Sequence, residues 1–387
     1  MLSFLSERIL HGRRPNNIKA FKCHNLQNNP SLPFSTTSNQ QSFTVSYLVK
    51  TCGLSPESAS SVSKRVSFET PSQPDSVIAF LKDREFSKTQ IATIIGKMPR
   101  ILSSSVEKTL LPKITFFNSK GISSSDITKL FVKNPHILRI SLEKKIVPSF
   151  NFLSNLFQSD NAAFGTVNLH PRIFLYDFDS YVLPNHNILR QNGVPEVNIV
   201  KGLRRVPKAF FVAPPLFKDD VEKIKKMGFN PARFTFVKAL YVLGSMSKST
   251  WERKFDVYKK CGWSEKEILE AFKVFPLLMA FSEDKIKAVM NFLVNVMGFQ
   301  ALLIVKRPNL LGMSMEKRIV PRGFFLKDLV SRGLLEKKLG LKMFLISEEL
   351  FLESFVYCYE EKASELLKLY NEKLNLAAGG KLKTDKS

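Results

Sequence analysis

Ten basic side chains stand beside prolines that recur along the chain: Arg100, Lys133, Arg139, Arg172, Arg204, Arg205, Lys208 and Arg307 beside one column, Arg318 and Arg322 beside another. Lys97, His136 and Lys306 join the first group. Lys108, Lys113, Lys144, Lys145, Lys285 and Lys317 join the second. Guanidinium and ammonium groups at this density suit phosphate. Each displaces counterions from a nucleic-acid backbone, and arginine can also reach guanine edges in a major groove. Taken singly, any of these residues reads as a solvated helix face. Their recurrence at equivalent positions of a repeat would instead gather them into a stripe.

Other chemistry finds little support. There is no G-x-x-x-x-G-K-[ST] loop, G-x-G-x-x-G turn or H-E-x-x-H helix. The histidines, His11, His24, His136, His170 and His186, lack metal-ligand spacing. Asp177-Phe178-Asp179 and Asp219-Asp220 read as caps and solubilising charges. Cys23, Cys52, Cys261 and Cys358 form no C-x-x-C pair, so neither a zinc site nor a disulfide framework is indicated. We read no enzyme, no metal and no cofactor. The cysteines and the short apolar runs imply a soluble protein of a reducing compartment, with no membrane span.

Charge points the same way as the basic columns. The 387 residues carry 58 Lys and Arg against 34 Asp and Glu, a net charge of +24. Residues 1–40 hold five basic residues and one acid, so +20 of that charge lies beyond them. A polyanion partner follows, nucleic acid before anionic membrane. Between Ser87 and Ile173 the only acids are Glu107, Asp126, Glu143 and Asp160, so the basic surface is expected to be densest there.

The elements that position these groups repeat. Pro99, Pro135, Pro171 and Pro207 are each 36 residues apart, the mark of a helical repeat array. Pro112, Pro148 and Pro184 follow the first three by thirteen residues, and Pro321 follows Pro308 by thirteen. Gly121, Gly193 and Gly262 precede Pro135, Pro207 and Pro276 by fourteen. Units are anchored near Ser67, Pro99, Pro135, Pro171, Pro207, Val242, Pro276 and Pro308, two of them without the proline. In the unit from Gly121, Ser123 to Asp126 supply a cap, and Ile127, Leu130 and Phe131 form an apolar stripe on a first helix. Asn134-Pro135 ends that helix. Ile137 and Leu138 turn inward, and Leu142–Phe152 forms a second helix whose interior Pro148 should bend it. Phe157 stands where the fourth unit should have its glycine. Phe116, Phe117, Phe152, Phe234, Phe236 and Phe292 sit at helical spacings and read as stack core rather than base-stacking platforms.

The ends differ. Residues 1–40 are Arg- and Ser-rich and acid-poor with a weakly amphipathic start, which describes an organelle transit peptide, mitochondrial first and chloroplast second. The array spans residues 43–333 in about eight units. A helical cap follows over 334–378, with Ser347 as an N-cap and several glutamates that suit a protein partner. Residues 379–387 read as a disordered tail. The architecture expected is all-α: a superhelical solenoid of 30–36-residue repeats, monomeric.

These features resemble the organellar transcription termination factor (mTERF) family, in its plant branch. The resemblance rests on Lys133-Asn134-Pro135-His136-Ile137-Leu138, Ser314-Met315-Glu316-Lys317-Arg318-Ile319-Val320-Pro321-Arg322, Phe43-Thr44-Val45-Ser46-Tyr47-Leu48 and Ser347-Glu348-Glu349-Leu350-Phe351. It covers everything after the presequence. It implies a left-handed superhelix with two α-helices and a short 3-10 helix per repeat, and no shared catalytic set. It implies binding of double-stranded DNA, or in some members RNA, in mitochondria or chloroplasts. The roles implied are transcription termination or regulation, intron splicing or ribosome assembly. Two alternatives stay open on the residues alone: an RNA-binding factor, and a protein-binding scaffold whose affinity would lack the steep salt dependence of phosphate contacts.

Overall fold

The computed structural model describes residues 38–336 and 339–380. The transit peptide read over residues 1–40 lies outside them apart from the start of helix Ser38–Lys50, and only residues 379 and 380 of the tail are described. The described secondary structure is entirely helical, an all-α helical-repeat solenoid. Its described residues divide into two compact units. One holds the chain up to Pro184 together with Leu203–Pro207; the other holds Asn185–Gly202 and the chain from Lys208 onward.

Within the first unit the repeat anchored at Pro135 shows the plan. The Ser123 hydroxyl accepts the Asp126 amide and starts helix Ser124–Lys133, which buries Ile127, Leu130 and Phe131. Asn134, at φ −137° and ψ 71°, leaves the helical region as a residue before proline must, and a 3-10 helix runs over Pro135–Arg139. Ile137 and Leu138 point inward and are buried. Ser141 then accepts the Lys144 amide and opens the second helix, which buries Phe150 and Leu153. Phe117 lies fully buried among Phe116, Phe131, Phe150 and Phe164, with ring centroids 5.4–6.2 Å away in edge-on contacts. Burying one such ring stabilises the stack by roughly 1.5–3 kcal/mol.

Each proline column makes its own backbone device. Every anchor proline opens a 3-10 helix: Pro99–Ser103, Pro135–Arg139, Pro171–Leu175, Pro207–Phe210, Pro276–Ala280 and Pro308–Gly312. The two units without the proline have none at that place. Ser67 lies in a non-helical stretch, and Val242 lies inside helix Phe234–Ser245, which runs straight through. The second column behaves differently from a simple bend. Pro112, Pro148, Pro184 and Pro321 each occupy the second position of an α-helix whose preceding turn is a π turn, over Val106–Leu110, Leu142–Ile146, Phe178–Val182 and Met315–Ile319. A proline ring collides with the carbonyl four residues back in an α-helix. A wider i→i+5 turn, as in the Val147 amide to the Leu142 carbonyl, moves that carbonyl aside. The corresponding helices without the proline, Ser72–Asp83, Pro214–Lys226, Lys248–Lys260 and Glu283–Asn291, open as ordinary α-helix. Two further π turns, Phe292–Val296 and Glu353–Tyr357, follow helices and involve no proline.

The glycine column is a set of left-handed helix ends, from Gly53 at φ 73° to Gly262 at φ 89°. Two repeats fill it otherwise. Glu85 takes φ 63°, and in the fourth repeat the left-handed residue is Gln158 at φ 51°, one after Phe157.

Successive repeats are tied by side chains from the second helix. Gln73 Nε2 donates to the Ser104 carbonyl at 2.6 Å in the first unit. In the second unit, Asn185 Nδ2 donates to the carbonyls of Phe210 and Val212 at 2.9 and 2.7 Å. The second unit closes on the 3-10 helix Leu341–Phe344, helix Glu348–Leu352 capped by Ser347, and the long helix Ala363–Ala378. Phe325, Phe351 and Tyr370 cluster there with centroids 5.2–6.1 Å apart, flanked by ion pairs Lys373–Asp328 and Arg332–Glu365 at 2.6 Å.

Candidate nucleic-acid interface

The 3-10 helices decide which side chains face solvent. A 3-10 helix has three residues per turn, so positions three apart eclipse. The third and fourth residues of each turn, such as Ile101-Leu102, Ile137-Leu138 and Leu310-Leu311, are buried. The residues one and four after the anchor proline therefore share the outward edge. In the first unit these are Arg100 and Ser103, His136 and Arg139, and Arg172 and Leu175, all exposed. Arg204 and Arg205, at the end of helix Glu196–Arg205, are exposed as well, with the Arg204 guanidinium 5.9 Å from the Phe157 ring centre. In the second unit Lys208 and Arg307 are exposed beside their prolines. Among the described residues no carboxylate pairs with Arg139, Arg172, Arg205, Lys208 or Arg307.

Four lysines of the second column, Lys285 in a helix without the proline, stand in an unusual place. Lys108, Lys144, Lys285 and Lys317 are each the third residue of a helix whose capping serine accepts their own amide. The N-terminal end of a helix carries partial positive charge and disfavours a cation. An anion brought to that end meets both the dipole and the ammonium. Lys285 is partly committed already: its ammonium donates to the Gly312 carbonyl at 3.3 Å and lies 4.6 Å from the Phe281 ring centre. Lys113 is buried and donates to the Thr109 carbonyl at 2.8 Å; its burial pushes its pKa down, with the Glu143 charge opposing.

Three of the basic positions read from the sequence have other work. Arg322 is fully buried and cannot be part of a solvent-facing stripe. Its guanidinium donates to the carbonyls of Met343, Ile346 and Ser347 at 3.2, 2.9 and 3.2 Å and to the Glu348 carboxylate at 2.7 Å, over the Phe351 ring. The position after the second proline points into the next repeat, as Asn185 does, so an arginine there clamps rather than binds. Arg318 is half-buried with Nη1 3.5 Å from the Met313 sulfur. Lys133 is exposed, but its ammonium donates to the Asn168 carbonyl at 3.1 Å. That bond belongs to a series. Two residues before the anchor, Arg65 donates to the Gly96 carbonyl at 2.8 Å, and Lys97 to the carbonyls of Val132 and Lys133 at 3.0 and 3.4 Å. Each cation caps the C-terminal end of the next repeat's first helix, where the dipole favours it.

One concave feature gathers basic groups. A cleft of about 400 Å³ in the first unit is lined by Arg65, Arg100, Arg139, Ser67, Ser103 and Ser104, together with Val66. It brings Arg100 and Arg139 together. Arg65, Ser103 and Ser104 were not singled out by sequence, and Ser67 only as a repeat anchor. The usable signal was that Arg65 occupies the column of Lys97 and Lys133, in a repeat whose anchor proline is missing.

A repeat scaffold with basic outward edges on its 3-10 turns narrows the field, and comparison with known proteins decides it. The mTERF family profile matches residues 73–352. The chain belongs to the mTERF family. No curated protein matches it. An mTERF fold accounts for the helix–3-10–helix order and for the repeat length. The family's character is nucleic-acid binding and transcription-related work on a helical-repeat scaffold. Among the described mTERF residues no three His, Cys, Asp or Glu side chains converge as a metal set, and no helix is long and apolar enough to cross a membrane. Of the histidines described, His186 is buried and bonds Glu196 at 2.7 Å, while His136 is exposed on its 3-10 edge.

Proposed function

We propose that this mTERF protein binds double-stranded nucleic acid of an organelle, duplex DNA before RNA, and regulates transcription or its termination there. The observation that carries the reading is the exposed edge of the 3-10 turns, where Arg100, Arg139 and Arg172 stand without acids in the first unit. An exposed arginine with no carboxylate partner at each of three successive repeats suits a regularly charged backbone, each neutralising a phosphate and releasing counterions. The family supports nucleic acid as the partner class. The mitochondrion is the compartment proposed on the composition of residues 1–40, with the chloroplast second. No catalytic step is assigned.

The test is a binding isotherm at several salt concentrations, with duplex DNA, duplex RNA and single strands of one sequence. Steep salt dependence with duplex DNA preferred is the expected result. Arg172→Glu with Arg205→Glu should weaken binding at least tenfold while the helical signal and urea midpoint stay in place. Preference for RNA would transfer the role to splicing or ribosomal RNA maturation. Salt-independent association, or affinity unmoved by the two reversals, would sink the reading in favour of a protein-binding scaffold.

A further inference from the structure

The three arginines of the first-unit cleft are related by the repeat. Arg65 stands two residues before its anchor position, Arg100 one after Pro99, and Arg139 four after Pro135. Stepping from one repeat to the next advances the position by three residues, one turn of a 3-10 helix, so the guanidinium groups run diagonally across three repeats. Two of them are pinned by the fold. Arg65 Nη2 donates to the Gly96 carbonyl at 2.8 Å, and Arg100 Nε donates to the Arg65 carbonyl at 3.4 Å. A guanidinium has five N–H donors, so most remain for a ligand, on groups whose orientation is already set. Arg139 makes no hydrogen bond to the fold among the described residues. No acid among them lines the cleft, and the serines add hydroxyl donors.

The next diagonal in the same unit reads Lys97, His136 and Leu175, and Leu175 is an exposed apolar side chain. The arginine triplet is therefore particular to one place and not a by-product of a basic surface. Volume and lining narrow the ligand. About 400 Å³ holds a phosphate ester with its sugar. Val66 is the sole apolar residue among the lining, and no ring is present on which a base would stack.

We propose that this cleft is a phosphate seat that grips one sugar–phosphate of the bound nucleic acid and reads no base. The proposal rests on the nucleic-acid reading above. It adds Arg65, Ser67, Ser103 and Ser104 to the interface and fixes the first three repeats as its strongest anchor. The phosphate group comes either from within a strand or from its 5′ end.

The full chain serves for the test, with Arg65→Gln, Arg100→Gln and Arg139→Gln made singly and together. Affinity is read by fluorescence anisotropy against duplexes with and without a 5′-phosphate, over a range of salt. The triple variant should lose tenfold or more in affinity, and its log–log salt slope should fall by roughly one to two phosphates. Arg253→Gln, whose residue pairs with Glu283 elsewhere, should leave both unchanged. Arg139→Gln alone should reproduce part of the loss. That variant removes no bond within the fold, so it stands if the Arg65 change unfolds its repeat. Dependence on the 5′-phosphate identifies a terminal group as the source; indifference to it identifies an internal phosphodiester. Inorganic phosphate at millimolar concentration should raise the melting temperature of the wild type and not of the triple variant. Wild-type affinity and slope in a folded triple variant would overturn the seat while leaving nucleic-acid binding intact. A wild type that binds no nucleic acid would overturn the broader reading, and the seat with it.

Discussion

Replacing Arg322 by methionine keeps most of the stem and removes every donor. In the folded protein this strands the Met343, Ile346 and Ser347 carbonyls, all partly buried, while the half-exposed Glu348 carboxylate keeps its bond from the Tyr370 hydroxyl and can turn to water. At about 1 kcal/mol for each stranded acceptor, the low end for such groups, the loss is roughly 3 kcal/mol. Arg322→Ala also opens a cavity and should cost about 3–5 kcal/mol, the range for breaking a buried ion pair. The damage should be local, because the acceptors all lie in the closing segment after Gly340. Hydrogen exchange read by mass spectrometry over residues 341–357 is the assay: the opening equilibrium there should rise roughly a hundredfold in Arg322→Met. Residues 88–157, in the other unit, should keep their protection. A change below about 1 kcal/mol would refute the clamp. So would a fall in nucleic-acid affinity with protection unchanged, which would return Arg322 to the surface.

Two further substitutions probe the repeat itself. Pro135→Ala should let helix Ser124–Lys133 run on as helix Phe234–Ser245 does through Val242, costing roughly 2 kcal/mol in lost ring burial and chain stiffness; circular dichroism should gain helix and affinity should fall as Arg139 leaves its edge, whereas unchanged helicity and affinity would show that the proline follows the turn and does not make it. Gln158→Gly relieves a left-handed residue and should raise stability by about 0.5–1 kcal/mol after glycine's entropy cost; a lower urea midpoint would mean that the Gln158–Asn155 hydrogen bond, at 2.5 Å, outweighs the strain.

Much of this fold is written in residues with stiff local rules. Proline fixes φ and lacks a donor, so the ends of the first helices and, beside them, the serine caps at Ser123 and Ser347 could be placed from the sequence, whereas the 3-10 turns came only with the family resemblance. What proline does not specify is the remedy. Pro148 announces an interrupted ladder, and only the backbone shows that a π turn absorbs it. Burial of Arg322 was illegible for a different reason. Lys317-Arg318-Ile319-Val320-Pro321-Arg322 reads as a basic surface run, and the carbonyls that claim its last residue lie more than twenty positions away. Arg65 was hidden by the loss of its anchor proline, and Glu85 by being neither glycine nor asparagine. The exposed arginines Arg100, Arg139 and Arg172 were legible because the apolar pair after each anchor proline had to face inward.

The cations that cap the next helix also set how the stack deforms. Lys97 reaches two acceptors, the carbonyls of Val132 and Lys133, at 3.0 and 3.4 Å, through four methylene groups. Such a tether is elastic. Its head can slide from one oxygen to the other while neighbouring repeats pivot by a few degrees, and no bond need break. The apolar contacts resist pulling repeats apart, whereas the Lys97 tether yields to twist. The repeats joined by Lys97 are thereby held against separation and left some freedom to twist. A body of that kind can keep its outward arginines in step with a charged strand whose pitch varies along its length.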